Sequence, residues 1–130
     1  MDKYCLEWND FESNIRKSFK KLRDEQKLFE VTFATDDGQY IQAHKMILSA
    51  GSNFFSDIFM KSNHSNLMIY MKGVKSAELE HITDFLYNGE AFISQEDLKK
   101  FFETAQELQV KGLQGEIQEG FYKYQSNLFS

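Results

Sequence analysis

The stretch Gln42-Ala43-His44-Lys45-Met46-Ile47-Leu48-Ser49-Ala50-Gly51-Ser52, with Asn53-Phe54-Phe55 behind it, decides how the rest of the chain is read. A strand-like approach ends at His44 and passes without a loop into a run that is apolar almost all round: Met46, Ile47, Leu48 and Ala50. A helix of this kind has little solvent face to offer, so it is expected inside the domain. Asn53 to Lys61 reads as a second helix with Phe54, Phe55, Ile58 and Phe59 turned inward.

Upstream, Phe29, Val31 and Phe33 alternate with Glu30, Thr32 and Ala34, and Asp36-Asp37-Gly38 supplies an Asp-Gly turn. Gln39 to His44 then returns as the second strand of a hairpin. Before the hairpin, Phe11, Ile15, Phe19 and Leu22 form one apolar stripe of a helix running to about Asp24. Asn9 and Glu12 have the spacing of a capping box for that helix. Its opposite face carries Arg16, Lys17, Lys20 and Arg23, expected to be solvated. At the start of the chain Tyr4, Leu6 and Trp8 alternate with Cys5 and Glu7, the period of a short strand with one apolar face.

Downstream, Lys61 to Asn66 is a polar loop, and Leu67, Ile69 and Met71 alternate with Met68 and Tyr70 in a third strand. Ser76 is a good N-cap for a helix with Leu79, Ile82, Phe85 and Leu86 on its inner stripe, closed by Asn88-Gly89. Ala91-Phe92-Ile93 reads as a short strand. Ser94-Gln95-Glu96-Asp97 opens the next helix, which places Leu98, Phe101, Phe102, Ala105 and Leu108 inward. Leu113, Ile117, Phe121, Tyr124 and Leu128 continue at helical spacing, interrupted by Gly115 and Gly120, each of which costs a helix about 1 kcal/mol.

A chain of 130 residues has room for one substantial core. Thirteen phenylalanines and six tyrosines are a heavy aromatic load, and aromatics dominate interfaces as well as cores. The net charge of −5 argues against direct nucleic-acid binding by this segment. A single cysteine, Cys5, rules out an internal disulfide and any cysteine-based zinc site. No apolar run approaches the ~20 residues of a membrane span, and the first residues do not look like a signal peptide.

The order of these elements and their local motifs resemble the BTB/POZ domain over residues 4–117, leaving 118–130 as a C-terminal helical or frayed tail. Phe29-Glu30-Val31-Thr32-Phe33 is similar to the family's Asp-Val-Thr-Leu strand, with Glu30 in place of aspartate. Ala43 to Ala50 matches its most recognisable segment almost residue for residue. Asn53-Phe54-Phe55 resembles Ser-Pro-Tyr-Phe without the proline, and Tyr87-Asn88-Gly89-Glu90 resembles Tyr-Thr-Gly-Glu. Ala105, Leu108, Gln109 and Leu113 look like the closing helix pair. Tyr4-Cys5-Leu6-Glu7-Trp8-Asn9-Asp10-Phe11 resembles the start of the tramtrack (TTK-type) group of insect chromatin and transcription proteins, with Glu7 where that group usually has arginine.

The resemblance implies an α+β fold: a small mixed sheet flanked by helices, with an N-terminal strand exchanged between subunits and paired with the partner's counterpart of Ala91-Phe92-Ile93. It implies a dimer interface of Leu6, Trp8, Phe11, Ile15, Phe19, Ile47 and Phe92. The strand Tyr4, Cys5, Leu6, Glu7 and Trp8 would join dimers into a higher assembly such as a hexamer. Glu30 and Lys45 resemble the charged pair of the dimer cleft, read here as an ion pair fixing the dimer rather than a peptide groove. The implied function is homo-oligomerisation of a nuclear transcription or chromatin-architecture factor, with related BTB domains or corepressor and architectural proteins as further partners. The alternative implied is a substrate adaptor for a cullin ubiquitin ligase.

No residue pattern suggests catalysis, a cofactor or a metal. His44 reads as a structural histidine at the strand–helix junction, His64 as a loop residue and His81 as a helix-surface one. Ser49 and Ser52 lack a nucleophile's strand–turn–helix setting. The glycines form no phosphate cradle. The chain reads as an interaction module and not an enzyme.

Overall fold

The computed structural model describes residues 1–113. The element order is α1 (Phe11–Asp24), β1 (Val31–Thr35), β2 (Tyr40–Ala43), α2 (Lys45–Gly51), α3 (Asn53–Lys61), β3 (Leu67–Met71), α4 (Ser76–Asn88) and α5 (Gln95–Glu107). The fold is the expected α+β arrangement around a three-stranded mixed sheet of order β2-β1-β3. The hairpin pairs β1 and β2 antiparallel, turning at Gly38 with φ +76°, while β3 joins β1 in parallel. The stretch from Glu90 through Leu113, apart from α5, forms no strand longer than a single bridge.

Period-two alternation sorts the sheet into two faces. Val31, Phe33 and Thr35 of β1 turn inward and are buried. Val31 and Phe33 meet Leu48 of α2, Phe55 and Phe59 of α3, and Leu79 and Ile82 of α4 in one core with Phe101, Phe102 and Ala105 of α5. Phe33 and Phe55 pack ring to ring at 5.3 Å, and Phe55 stacks on Phe59 at 5.9 Å. The apolar helix expected over Lys45 to Ser52 runs from Lys45 to Gly51 and sits against this core through the fully buried Leu48, and its neighbours differ in depth: Ile47 is half-buried and Met46 exposed.

Side chains close the joints between elements. Buried Ser52 accepts the Phe55 N–H at the start of α3 and donates to the Leu108 carbonyl at 2.6 Å, so one hydroxyl caps α3 and anchors the end of α5. The neighbouring Lys111 N–H donates to the Gly51 carbonyl at 2.8 Å. Gly51 itself lies so near Leu86 of α4 that a Cβ would stand 2.4 Å from Leu86 Cδ2. Asp37 in the hairpin turn accepts the Ser76 N–H at 2.9 Å and the Ser76 hydroxyl at 2.6 Å, and thereby supplies the N-terminal cap of α4 from 39 residues away.

Three local expectations are corrected. Asn9 and Glu12 form no capping box: Asp10 precedes α1 in the left-handed region at φ 63° with no side-chain cap bond. Ser76 is the first residue of α4 and not its cap, which is Lys75. Arg23 is not part of a solvated basic face. It reaches across to α4, donating to Thr83 Oγ1 at 3.0 Å, pairing with Asp84 at 2.8 Å and lying 4.7 Å from the Tyr87 ring centre. The geometry of α1 explains this, since its last turn rests on α4 and its start projects beyond the core.

Candidate functional site

The chain's first helix and the residues before it carry a run of exposed large apolar side chains: Tyr4, Leu6, Trp8 and Phe11. Residues 1–8 form no helix or strand within the chain. Leu6 is 93% exposed, Trp8 59% and Phe11 50%, and Trp8 meets Phe11 edge-on at 5.1 Å between ring centres. Farther along α1, Ile15, Phe19 and Leu22 are half-buried, and no residue of α1 is fully buried. An amphipathic helix that buries its stripe only in part within its own domain has apolar area left to cover.

The expected interface residues therefore divide. Leu6, Trp8, Phe11 and the 78% exposed Phe92 face outward, and Ile15, Phe19 and Ile47 are shared between the chain's own packing and the surface. Ala91-Phe92-Ile93 is not a strand within the chain, and neither is Tyr4 to Trp8. Cys5 is exposed among them.

Glu30 and Lys45 come together through different atoms from those expected. The Glu30 carboxylate accepts the backbone N–H of Lys45 at 3.3 Å, at the first residue of α2. The Lys45 ammonium turns away to the His64 carbonyl and lies 5.8 Å from the Phe59 ring centre. The two charged groups form no ion pair with each other. Glu30 acts as a remote cap, placing negative charge at the positive end of α2.

His44 is the structural histidine its position suggested. It is buried, Nε2 lies 2.7 Å from the Lys27 carbonyl, and Nδ1 meets the Tyr87 hydroxyl, which also accepts the His44 N–H at 2.9 Å. The Phe29 ring packs 4.7 Å from the imidazole. Every polar atom of the ring is engaged, which leaves none for a ligand. Among the described residues no group of histidine, cysteine and acidic side chains could hold a metal ion, and no helix is long and apolar enough to cross a membrane.

The sequence reading passed over the open face of the sheet. Thr32, Ala34, Tyr40, Gln42, Met68 and Tyr70 lie on it, none of them charged, with Tyr40, Met68 and Tyr70 each more than 60% exposed. The signal was present in β3, where both alternating sets are apolar. A strand with two apolar faces is usually covered on both.

The sequence profile of the BTB/POZ domain matches residues 19–125. Among curated proteins of Drosophila melanogaster, the Longitudinals lacking protein-like protein is 43% identical over 110 residues, covering 85% of this chain and 86% of that protein. Protein abrupt is 39% identical over 110 residues, and the alpha isoform of Protein tramtrack 35% identical over 111. The aligned segment spans only 12% and 14% of those two longer proteins. The solved BTB domain of zebrafish PATZ1 superposes with a TM-score of 0.78 at 17% identity, over 93% of this chain and 99% of that one.

Proposed function

The chain belongs to the BTB/POZ family, and on that premise we propose that it is a homo-oligomerising protein–protein interaction module of a nuclear transcription or chromatin-architecture factor. The observation that carries this reading is the exposure of Leu6, Trp8 and Phe11 in a segment without a strand partner in its own chain. Extended backbone and large apolar side chains are both satisfied if this segment lies on a second copy, in an isologous contact where each chain gives and receives the same strand. Phe92 is the matching exposed side chain at the receiving end. A dimer or larger assembly then raises the local concentration of whatever DNA-binding elements its chains carry, so avidity supplies the mechanism without contact between this domain and nucleic acid.

Light scattering behind size exclusion on residues 1–130 and on a version lacking residues 1–9 tests the reading. Six chains falling to two on truncation identifies the first strand as a device for higher assembly. Two chains in both limits the assembly to a dimer that does not need the strand, and a monomeric full chain overturns the proposal. Retention of a purified cullin N-terminal domain in the same run would favour the adaptor role instead.

A further inference from the structure

We infer that the free edge of β3 is a second self-association surface, which pairs antiparallel with β3 of another copy and joins dimers into a continuous sheet. This rests on the homo-oligomeric reading above and adds to it a contact separate from the N-terminal segment. In the sheet order β2-β1-β3, β3 has a neighbour on one side only. The Leu67 N–H donates to the Glu30 carbonyl at 3.0 Å. Alternate residues of a parallel strand bond to the same side, so Leu67 and Ile69 spend their backbone groups on β1, and Met68 and Tyr70 turn theirs to the edge. Those groups have no partner among the described residues.

Exposed edges in natural sheets are blunted by lysine, proline, a bulge or covering structure. Leu67-Met68-Ile69-Tyr70-Met71 contains no charge, no proline and no glycine, and its register against β1 runs without interruption. An edge of this composition needs a cover, and its own geometry fits a second copy. A two-fold axis at Ile69 sets Met68 opposite Tyr70 of the second copy, and Tyr70 opposite Met68. Both residues turn their backbone groups outward, so each pair exchanges both of its N–H···O=C bonds. The Tyr70 hydroxyl donates to the Asp36 carboxylate at the end of β1, so the exposed thioether meets the ring and not the hydroxyl on the open face, a favourable sulfur–aromatic contact. Continuing the register brings Lys72 opposite Asn66, so no like charges face each other. A strand this short covers much less than the ~1,600 Å² of a standard stable interface. It therefore acts between units that are already dimeric, and a closed two-fold contact stops the sheet from propagating through this edge.

Sedimentation velocity of the 130-residue chain over a range of concentrations, with circular dichroism as the fold control, tests the pairing. Met68→Lys with Tyr70→Lys sets base against base in both pairs, and the assembly is expected to drop to two chains. Met68→Glu with Tyr70→Lys sets acid against base in both pairs, and the mass of the unmodified chain is expected to return. Equal masses for the two double variants, whether both retained or both reduced, overturn the inference. An unmodified chain that never exceeds two copies overturns it and leaves the dimer standing, and a monomer overturns both. If a double variant does not fold, Met68→Pro removes an outward N–H while sparing the β1 ladder, and an undiminished mass in that variant overturns the pairing.

Discussion

The hydroxyl of Tyr87 and Nδ1 of His44 are hydrogen-bond partners across 43 residues of sequence, and they fix α4 to the residue that precedes α2. The Lys27 carbonyl facing Nε2 can only accept, so Nε2 carries the ring proton and Nδ1 receives one from Tyr87. The phenol in turn accepts the His44 N–H. Burial pushes the Tyr87 phenol above its ordinary pKa, which keeps the donor protonated wherever the fold is stable.

Tyr87→Phe removes one oxygen and leaves both a buried ring nitrogen and a buried backbone N–H of His44 without a partner. Each orphaned buried group costs about 1–3 kcal/mol, so a loss of roughly 2–6 kcal/mol is expected from urea unfolding. The ring that faces Arg23 is kept. A change under about 1 kcal/mol would show that water satisfies the histidine in the variant.

Arg23→Lys is expected to behave almost as badly as Arg23→Ala. The guanidinium serves Thr83, Asp84 and the face of Tyr87 together, and a lysine ammonium cannot match that planar fork. Asp84 is partly exposed, so solvent weakens the ionic share. The expected loss is about 1–2 kcal/mol, with faster amide exchange in α1 than in α4. Full stability in Arg23→Lys would mean that charge alone holds the joint.

Asp37 ties stability to acid pH. Hydrogen bonds from the Ser76 and Thr35 hydroxyls hold its carboxyl below the ordinary value of 3.8, at about 2. The folded chain binds this proton less readily than the unfolded chain. Its contribution is therefore complete above the ordinary value and is lost as pH falls towards the folded one. Calorimetry is expected to show the melting temperature falling more steeply between pH 3.8 and about 2 in the parent chain than in Asp37→Asn. Parallel acid limbs would remove Asp37 from the account.

These joints also mark where sequence reading stopped. Helices and hairpin were legible because their signals are local: the Phe11 to Leu22 stripe, the Asp36-Asp37-Gly38 turn and the Gly89 stop, whose φ is +75°. The contacts that orient these elements were not. Periodicity places Arg23 on a polar face without saying that α4 lies beneath its last turn. Nothing near Ser76 in sequence announces that Asp37 caps its helix. Glu30 and Lys45 were expected as a charged pair of the dimer cleft, whereas within the chain the carboxylate meets the Lys45 backbone N–H, a contact that charge pattern does not announce. The N-terminal alternation is a strand signal in a segment that forms no strand within the described residues.

That last point gives the sharpest test of the N-terminal segment. Within the chain Trp8 packs its ring only against Phe11 among the described aromatic rings, so Trp8→Ala removes little that stabilises the single domain. If the indole is buried by a second copy, it has the character of an interface hot spot, where truncation costs at least about 2 kcal/mol. The dissociation constant of the dimer, read by sedimentation equilibrium, is then expected to rise by roughly thirtyfold or more. Helix content is expected to stay the same. Glu7 offers the opposite change. It is exposed and stands between Leu6 and Trp8 in the sequence. If strands from several dimers meet there, copies of Glu7 repel one another, and Glu7→Gln is expected to shift the mass distribution upward at low salt and much less at high salt. A salt-independent dimer in both forms would confine the segment to the two-fold contact.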